Sequence, residues 1–340
     1  MMAQELEDFI NKKNLEDVIK KYPVAEDFLI NFRLNALPKK KPLIQALEEV
    51  DQESLNEFGL DKHGLVMNFC EFLETFLRSQ ASQASVSSIT ILGGFNKSKE
   101  AENISLTIST GEIISIVGPT GSGKSRLLGD IECLAQGDTP TGRRILINEA
   151  EIDEMKRFDL EGKLVAQLSQ NMNFVMDLTV REFLEMHAKS RMAEDLDKVV
   201  EKCFKCANDL AGEKFSENTK VTQLSGGQSR ALMIADTAFI SQSPIVLIDE
   251  IENAGIDRRQ AIEILAKKEK IIFVSTHDPL LAVSSDKRIV IKNGGIYKII
   301  KITDAEKRSL PAIEKLDSTL MMLRSRLRGG ELITEDLLKL

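Results

Sequence analysis

Apolar residues change their period twice along this chain. Over residues 1–78 they recur three and four apart, at Phe28, Leu29, Phe32 and Leu34, at Leu43, Ile44 and Leu47, and at Leu65, Val66, Phe69, Phe72, Leu73 and Phe76. That spacing lines one face of a helix. Asn14 ahead of Leu15-Glu16-Asp17 offers a capped start and Pro23 a stop, so a bundle of four or five short helices is predicted. Residues 79–88, rich in Ser, Gln and Ala, are small and polar and read as a linker. Beyond them the apolar residues gather into short runs at Ile89–Leu92, Ile104–Ile108, Ile113–Val117, Arg144–Ile147 and Ile245–Ile248, and again from Ile271, Ile289 and Ile296. Helical spacing lies between the runs, which predicts an α/β core on a parallel sheet over 89–302, with a helical insert from Thr179 to Ala211. Residues 303–340 turn helical again through Ile313, Leu316, Leu320, Met321 and Leu323, and are expected to pack on the α/β core, with a partner face as the alternative.

The strand Ile113–Val117 runs into Gly118-Pro119-Thr120-Gly121-Ser122-Gly123-Lys124-Ser125, and Arg126-Leu127-Leu128 opens a helix. Glycines at this spacing let backbone N–H groups close around phosphate oxygens, and the helix N-terminus adds its dipole. Lys124 is positioned to reach the β/γ-phosphates and Ser125 to ligate Mg²⁺, so ATP with Mg²⁺ is the expected ligand. Ile245–Ile248 ends in Asp249-Glu250. A carboxylate at such a strand end can hold Mg²⁺, and its neighbour can polarise the attacking water. Alone, that pattern also fits an ordinary strand end.

Leu224-Ser225-Gly226-Gly227-Gln228 narrows the reading. From Ser88 to Lys301 the chain resembles the nucleotide-binding domains of the ABC (ATP-binding cassette) superfamily. The resemblance implies a P-loop core with a helical signature subdomain, hydrolysis of ATP, and a head-to-tail homodimer formed on ATP binding. Through it, Gln170 is matched to the Q-loop glutamine that contacts Mg²⁺ or the attacking water, Ala254-Gly255-Ile256-Asp257 to the D-loop, and His277 in Ser275-Thr276-His277-Asp278 to the switch histidine at the γ-phosphate. Glu250 becomes the general base and Asp249 the metal ligand. A histidine at a strand end is ordinarily structural; its place in this ordered series makes His277 functional. His63 and His187 lack any such context.

The chain also departs from the family pattern. Arg126 follows Ser125 where a second hydroxyl is usual, and Ile251-Glu252-Asn253 replaces a proline-led segment after the acid pair. The family stacks adenine on an aromatic upstream of the phosphate loop, and Phe95 is the local candidate, with a small core anchor as the alternative.

Composition narrows the partners. The formal net charge is -8 with basic residues scattered, which gives no nucleic-acid footprint. No apolar run reaches about eighteen residues and no charged-then-apolar leader is seen, so a cytoplasmic chain is expected, peripheral to a membrane only through a partner. Cys203 and Cys206 form a C-x-x-C, but no second pair exists to finish a zinc site, and both read as packing thiols. Leu15–Pro23 and Phe58–Asp61 resemble small helical domains found with redox proteins of anaerobes; the Leu37–Pro42 stretch holds none of their cysteines, so only the fold carries over. What ATP turnover drives stays open among a membrane permease on another chain, a cytoplasmic client remodelled by a soluble ATPase, and an ATP-gated switch.

Overall fold

In the computed structural model of the chain, residues 6, 9–50, 55, 58–81, 86–153, 157, 163–169, 174–191, 193, 195–251 and 256–334 are described. The helical period at the front becomes α1 (Leu15–Lys21), α2 (Val24–Asn31), α3 (Leu43–Ala46) running into a 3-10 turn at Leu47–Glu49, and α4 (Lys62–Ala81). Their buried face joins Leu15, Leu29, Leu47, Leu65 and Leu73 in one cluster. Phe28 sits among Phe32, Phe69 and Phe72, with ring centroids 4.6, 5.1 and 5.2 Å away. Asn14 occupies the N-cap position, but its side chain makes no capping bond. Instead Leu15 and Glu16 donate their N–H groups to the carbonyls of Lys41 and Lys39, so the basic turn is what closes the helix start. α4 is a single long helix rather than short pieces. It runs to Ala81, into the stretch read as linker from residue 79, because Ser, Gln and Ala place no helix breaker there.

The apolar runs become two sheets. β1 (Ser88–Leu92), β2 (Ser105–Ser109) and β4 (Arg144–Ile147) form an antiparallel sheet in the order β2-β1-β4. β3 (Ile113–Val117), β5 (Val165–Leu168), β6 (Ile245–Asp249), β7 (Ile271–Ser275), β8 (Lys287–Lys292) and β9 (Gly295–Lys301) form the second, in the order β5-β6-β7-β3-β8-β9. All its pairings are parallel except β8 with β9. The expectation of helices between successive strands fails at that pair: Asn293 (φ 51) and Gly294 (φ 80) both lie in the left-handed region, the turn a two-residue hairpin needs. α5 (Lys124–Glu132) follows the phosphate loop, and one core lies between the two sheets and this helix. On the other face of the central sheet, α6 (Val180–Ser190), α7 (Leu196–Leu210), α8 (Gly226–Phe239) and α9 (Arg258–Ala266) enclose a second core.

The chain closes with α10 (Pro279–Ser284), α11 (Asp304–Lys307) and α12 (Leu310–Arg328). α12 is docked by ion pairs from Arg258 to Asp317 and from Arg259 to Glu314. Packing is thus only part of its story, since Leu316, Leu320 and Leu327 remain exposed. The C-terminal ends of β3, β6 and β7 lie side by side, where ligands of open α/β sheets bind, and the loops that leave them carry the sequence motifs.

Candidate functional site

The loop from Gly118 to Ser125 owes its shape to close approaches that a side chain would block. A Cβ on Gly118 would lie 2.5 Å from the Ile291 carbonyl oxygen, and one on Gly123 would lie 2.9 Å from Gly294. Gly123 also has φ 112, and it is the N-cap of α5. The β8–β9 hairpin backs the loop directly, with the Gly294 N–H donating to Ser122 O at 2.6 Å. From the other side Lys97 donates through Nζ to Gly121 O at 2.9 Å. Within this scaffold the N–H groups of Gly121, Gly123, Lys124 and Ser125 find no acceptor among the described residues, and the buried Ser122 Oγ has no partner. N–H donors without acceptors at a helix start suit an anion, and phosphate fits. Ser125 and Arg126 are exposed at a cleft of about 450 Å³ that Gly129, Asp130, Cys133 and Thr139 also line. A hydroxyl such as Ser125 and a carboxylate such as Asp249 are donor types that suit Mg²⁺.

The Lys124 ammonium donates to Gly118 O at 2.9 Å and lies 2.9 Å from His277 Nε2. Since Lys124 can only donate, His277 Nε2 accepts and its proton sits on Nδ1 in this arrangement. Two motif residues 153 positions apart therefore meet. β6 and β7 pair Asp249 opposite Ser275, and the next residue, Glu250, has φ 48. A non-glycine residue in that region persists only when its surroundings fix it. Here the Glu250 N–H donates to Ser275 O at 3.0 Å and its carbonyl accepts from Arg230 Nη1 at 3.1 Å, so both flanking peptides are held.

Arg230 is a residue that motif reading missed. It lies on α8, two places beyond Gln228, and its other branch donates to Ser169 O at 2.9 Å, immediately before Gln170. One buried guanidinium thus joins the signature helix to the roots of the two segments that carry Gln170 and Glu250. Gln170 itself lies outside the described residues, as do Glu252 to Gly255 of the altered segment and D-loop. Asp257 is described, and its carboxylate caps α9 by accepting from Gln260 N at 3.0 Å. At the signature, Ser225 Oγ accepts from Gln228 N and Gln228 Oε1 accepts from Ser225 N, a closed capping box. The Gly226 and Gly227 N–H groups stay without an acceptor among the described residues.

A second unforeseen hub supports the phosphate loop from below. Arg143 is fully buried, donates twice to Glu102 (2.9 and 2.6 Å), once to Asp130 on α5 (2.8 Å) and once to Gly294 O (2.9 Å). Burial pushes the Glu102 carboxyl up, but the Arg143 bonds and the N–H groups of Gly94 and Ile296 outweigh it and hold it below the usual carboxylate value. The same hub fixes the segment of Phe95, whose ring is half exposed beside Gly142 and therefore free to meet a ligand rather than buried as a core anchor.

Two further groups read as ordinary take structural places. His187 is not isolated: its Nδ1 lies 3.0 Å from the buried Asp236, tying α6 to α8. Cys203 and Cys206 are buried in the helical core, as packing thiols are; burial raises the first thiol well above its ordinary value and the second to about 11.

Residues 101–253 match the sequence model of the ABC transporter family. An uncharacterized ABC transporter ATP-binding protein of Methanocaldococcus jannaschii is 52% identical over 253 residues, 74% of this chain and 96% of that protein. The macrolide export ATP-binding/permease protein of Campylobacter jejuni is 30% identical over 236 residues, which cover 66% of this chain and 36% of that protein. Among solved structures, a dimeric post-hydrolysis state of an ATP-binding cassette bound to ADP and Pi is 26% identical, covers 63% of this chain and 99% of that chain, and gives a TM-score of 0.47. The anion-seeking loop, the ordered motifs and a relative matched over nearly its whole length lead to one assignment: the chain belongs to the ABC transporter family and is an ATP-binding cassette that hydrolyses ATP.

Proposed function

We propose that two copies of this chain enclose two Mg-ATP molecules head to tail, each nucleotide held by residues 118–125 of one copy and covered by Ser225, Gly226 and Gly227 of the other, and that hydrolysis drives a membrane permease on a separate chain. The observation that carries this reading is the set of unbonded N–H groups at two helix starts, four at α5 and two at α8. No hydrogen bond joins the two turns within one copy among the described residues, so the donors at α8 are available to a phosphate bound elsewhere. The names of the relatives, a transporter ATP-binding protein and an export ATP-binding/permease protein, favour a permease over a cytoplasmic client. Among the described residues no helix is long and apolar enough to cross a membrane. We assign the chain from β1 to residue 302 to the ATPase domain, the part up to the end of α4 at Ala81 to a docking or regulatory helical domain, and 303–340 to a helical extension.

On binding, Lys124 leaves the Gly118 carbonyl and His277 for the β/γ-phosphates, while Gly118 to Gly123 wrap the phosphates by backbone contact. Ser125, Asp249 and Gln170 would hold Mg²⁺, which would neutralise charge on the phosphate oxygens. Glu250 takes the proton of the attacking water, and His277, freed from Lys124, turns a ring N–H to the γ-phosphate. Asp257 faces the second copy, Phe95 stacks on adenine, and Arg126 adds positive charge at the mouth. Glu250→Gln should therefore keep ATP affinity and lose turnover by about two to four orders of magnitude. A steady-state rate within about a factor of two of wild type would place the base elsewhere.

A further inference from the structure

Arg258 is the first residue of α9, directly after Asp257, and its guanidinium is only 12% exposed. One branch meets the carboxylate of Asp278, itself buried, and the other grips Asp317 of α12 with both oxygens, at 3.0 and 2.9 Å. Three segments distant in sequence thus converge on a single side chain. The junction is stiff on the His277 side. Asp278 uses its second oxygen to cap α10 through Leu280 N (2.8 Å), and its own N–H donates to Thr276 Oγ1 (2.9 Å). Thr276 N in turn donates to Ile116 O of β3 at 3.1 Å. His277 lies between these two anchored neighbours, with its ring against Lys124.

We propose that Asp317 is a positioning residue for ATP hydrolysis: through Arg258 and Asp278 it fixes the switch segment of His277 and the end of the D-loop relative to each other. This rests on the roles proposed above for His277 and Asp257. A guanidinium holds two carboxylates at once because its planar fork presents donors in separate directions. Without Asp317, one acceptor is lost and Arg258 is free to follow solvent or Asp278 alone, so the angle between the two segments is no longer set. The neighbouring pair of Arg259 and Glu314 is mostly exposed and screened, and it anchors α12 without reaching the switch segment. Asp317 lies on α12, outside every motif matched in the sequence.

The test uses the full chain with Asp317→Asn, Asp317→Glu and Glu314→Gln, and measures Mg-ATP affinity, steady-state kcat and KM, and thermal unfolding for each. Asp317→Asn should lower kcat about tenfold, the size expected when reacting groups shift slightly, with ATP affinity unchanged. Asp317→Glu should recover most of the rate, and Glu314→Gln should match wild type. A wild-type kcat in Asp317→Asn would overturn the proposal. So would a loss of rate, affinity and Tm together, without rescue by Asp317→Glu, because that is what mere anchoring of α12 produces. Glu250→Gln run alongside separates the two readings: if it is inactive while Asp317→Asn turns over normally, only the positioning role falls.

Discussion

α5 and α8 both begin at glycine-rich turns, but α5 starts from Gly123 at φ 112 with no side-chain cap, whereas α8 starts from Ser225 inside a closed capping box. The first turn is held from outside, by the β8–β9 hairpin, Lys97 and the Arg143 hub. Its own polar groups are thereby left for a ligand. The second turn is held from within, by Ser225 and Gln228, so it keeps its shape with no ligand present and offers only the two N–H groups that the box does not use. The difference teaches how one nucleotide can need two turns: one encloses phosphate, the other waits as a preformed lid.

The comparison breaks most visibly through Lys124 and Ser225 taken as a pair. Lys124→Ala removes the charged donor of the enclosing turn, and ATP affinity should fall about 100- to 1,000-fold in equilibrium binding. Ser225→Arg fills the lid instead, so a separate copy should bind ATP within about twofold of wild type while ATP-dependent association and turnover disappear. If Ser225→Arg weakened binding as much as Lys124→Ala, both turns would serve the same copy and the contrast would be lost.

Much of this site was legible because its chemistry depends on local spacing. The phosphate loop, Asp249-Glu250, the signature and His277 each sit at the end of a strand or the start of a helix that the apolar pattern announces. The hubs were not legible. Arg143, Arg230 and Arg258 belong to no periodic pattern, and their partners lie 41, 20 and 59 residues away, distances that only the fold closes. β5 escaped for a related reason: Val165-Ala-Gln-Leu168 is too short and mixed to show a period, and it becomes a strand by pairing with β6. The Asn14 cap failed differently, since backbone carbonyls of Lys39 and Lys41 took the place its side chain was expected to fill.

A smaller effect sharpens the outside-held half of the comparison. The Glu102 carboxyl is held below its ordinary value of 4.5, so its folded state binds a proton less readily than the unfolded chain. Its contribution to stability is complete above about pH 4.5 and is lost as pH falls through the depressed folded value. Thermal unfolding of wild type should therefore decline over this acid window more steeply than that of Glu102→Gln, which has no such carboxyl to protonate. Parallel declines would show that the Arg143 hub does not stabilise the loop electrostatically.

The two-copy site is tested most directly by sedimentation velocity of Glu250→Gln, in which hydrolysis cannot dissolve the complex. With Mg-ATP the variant should sediment as a dimer, and with Mg-ADP, which lacks the γ-phosphate that the Gly226 and Gly227 N–H groups are proposed to cover, as a monomer. A monomer in both nucleotides, at concentrations where ATP binding is saturated, would contradict the sandwich.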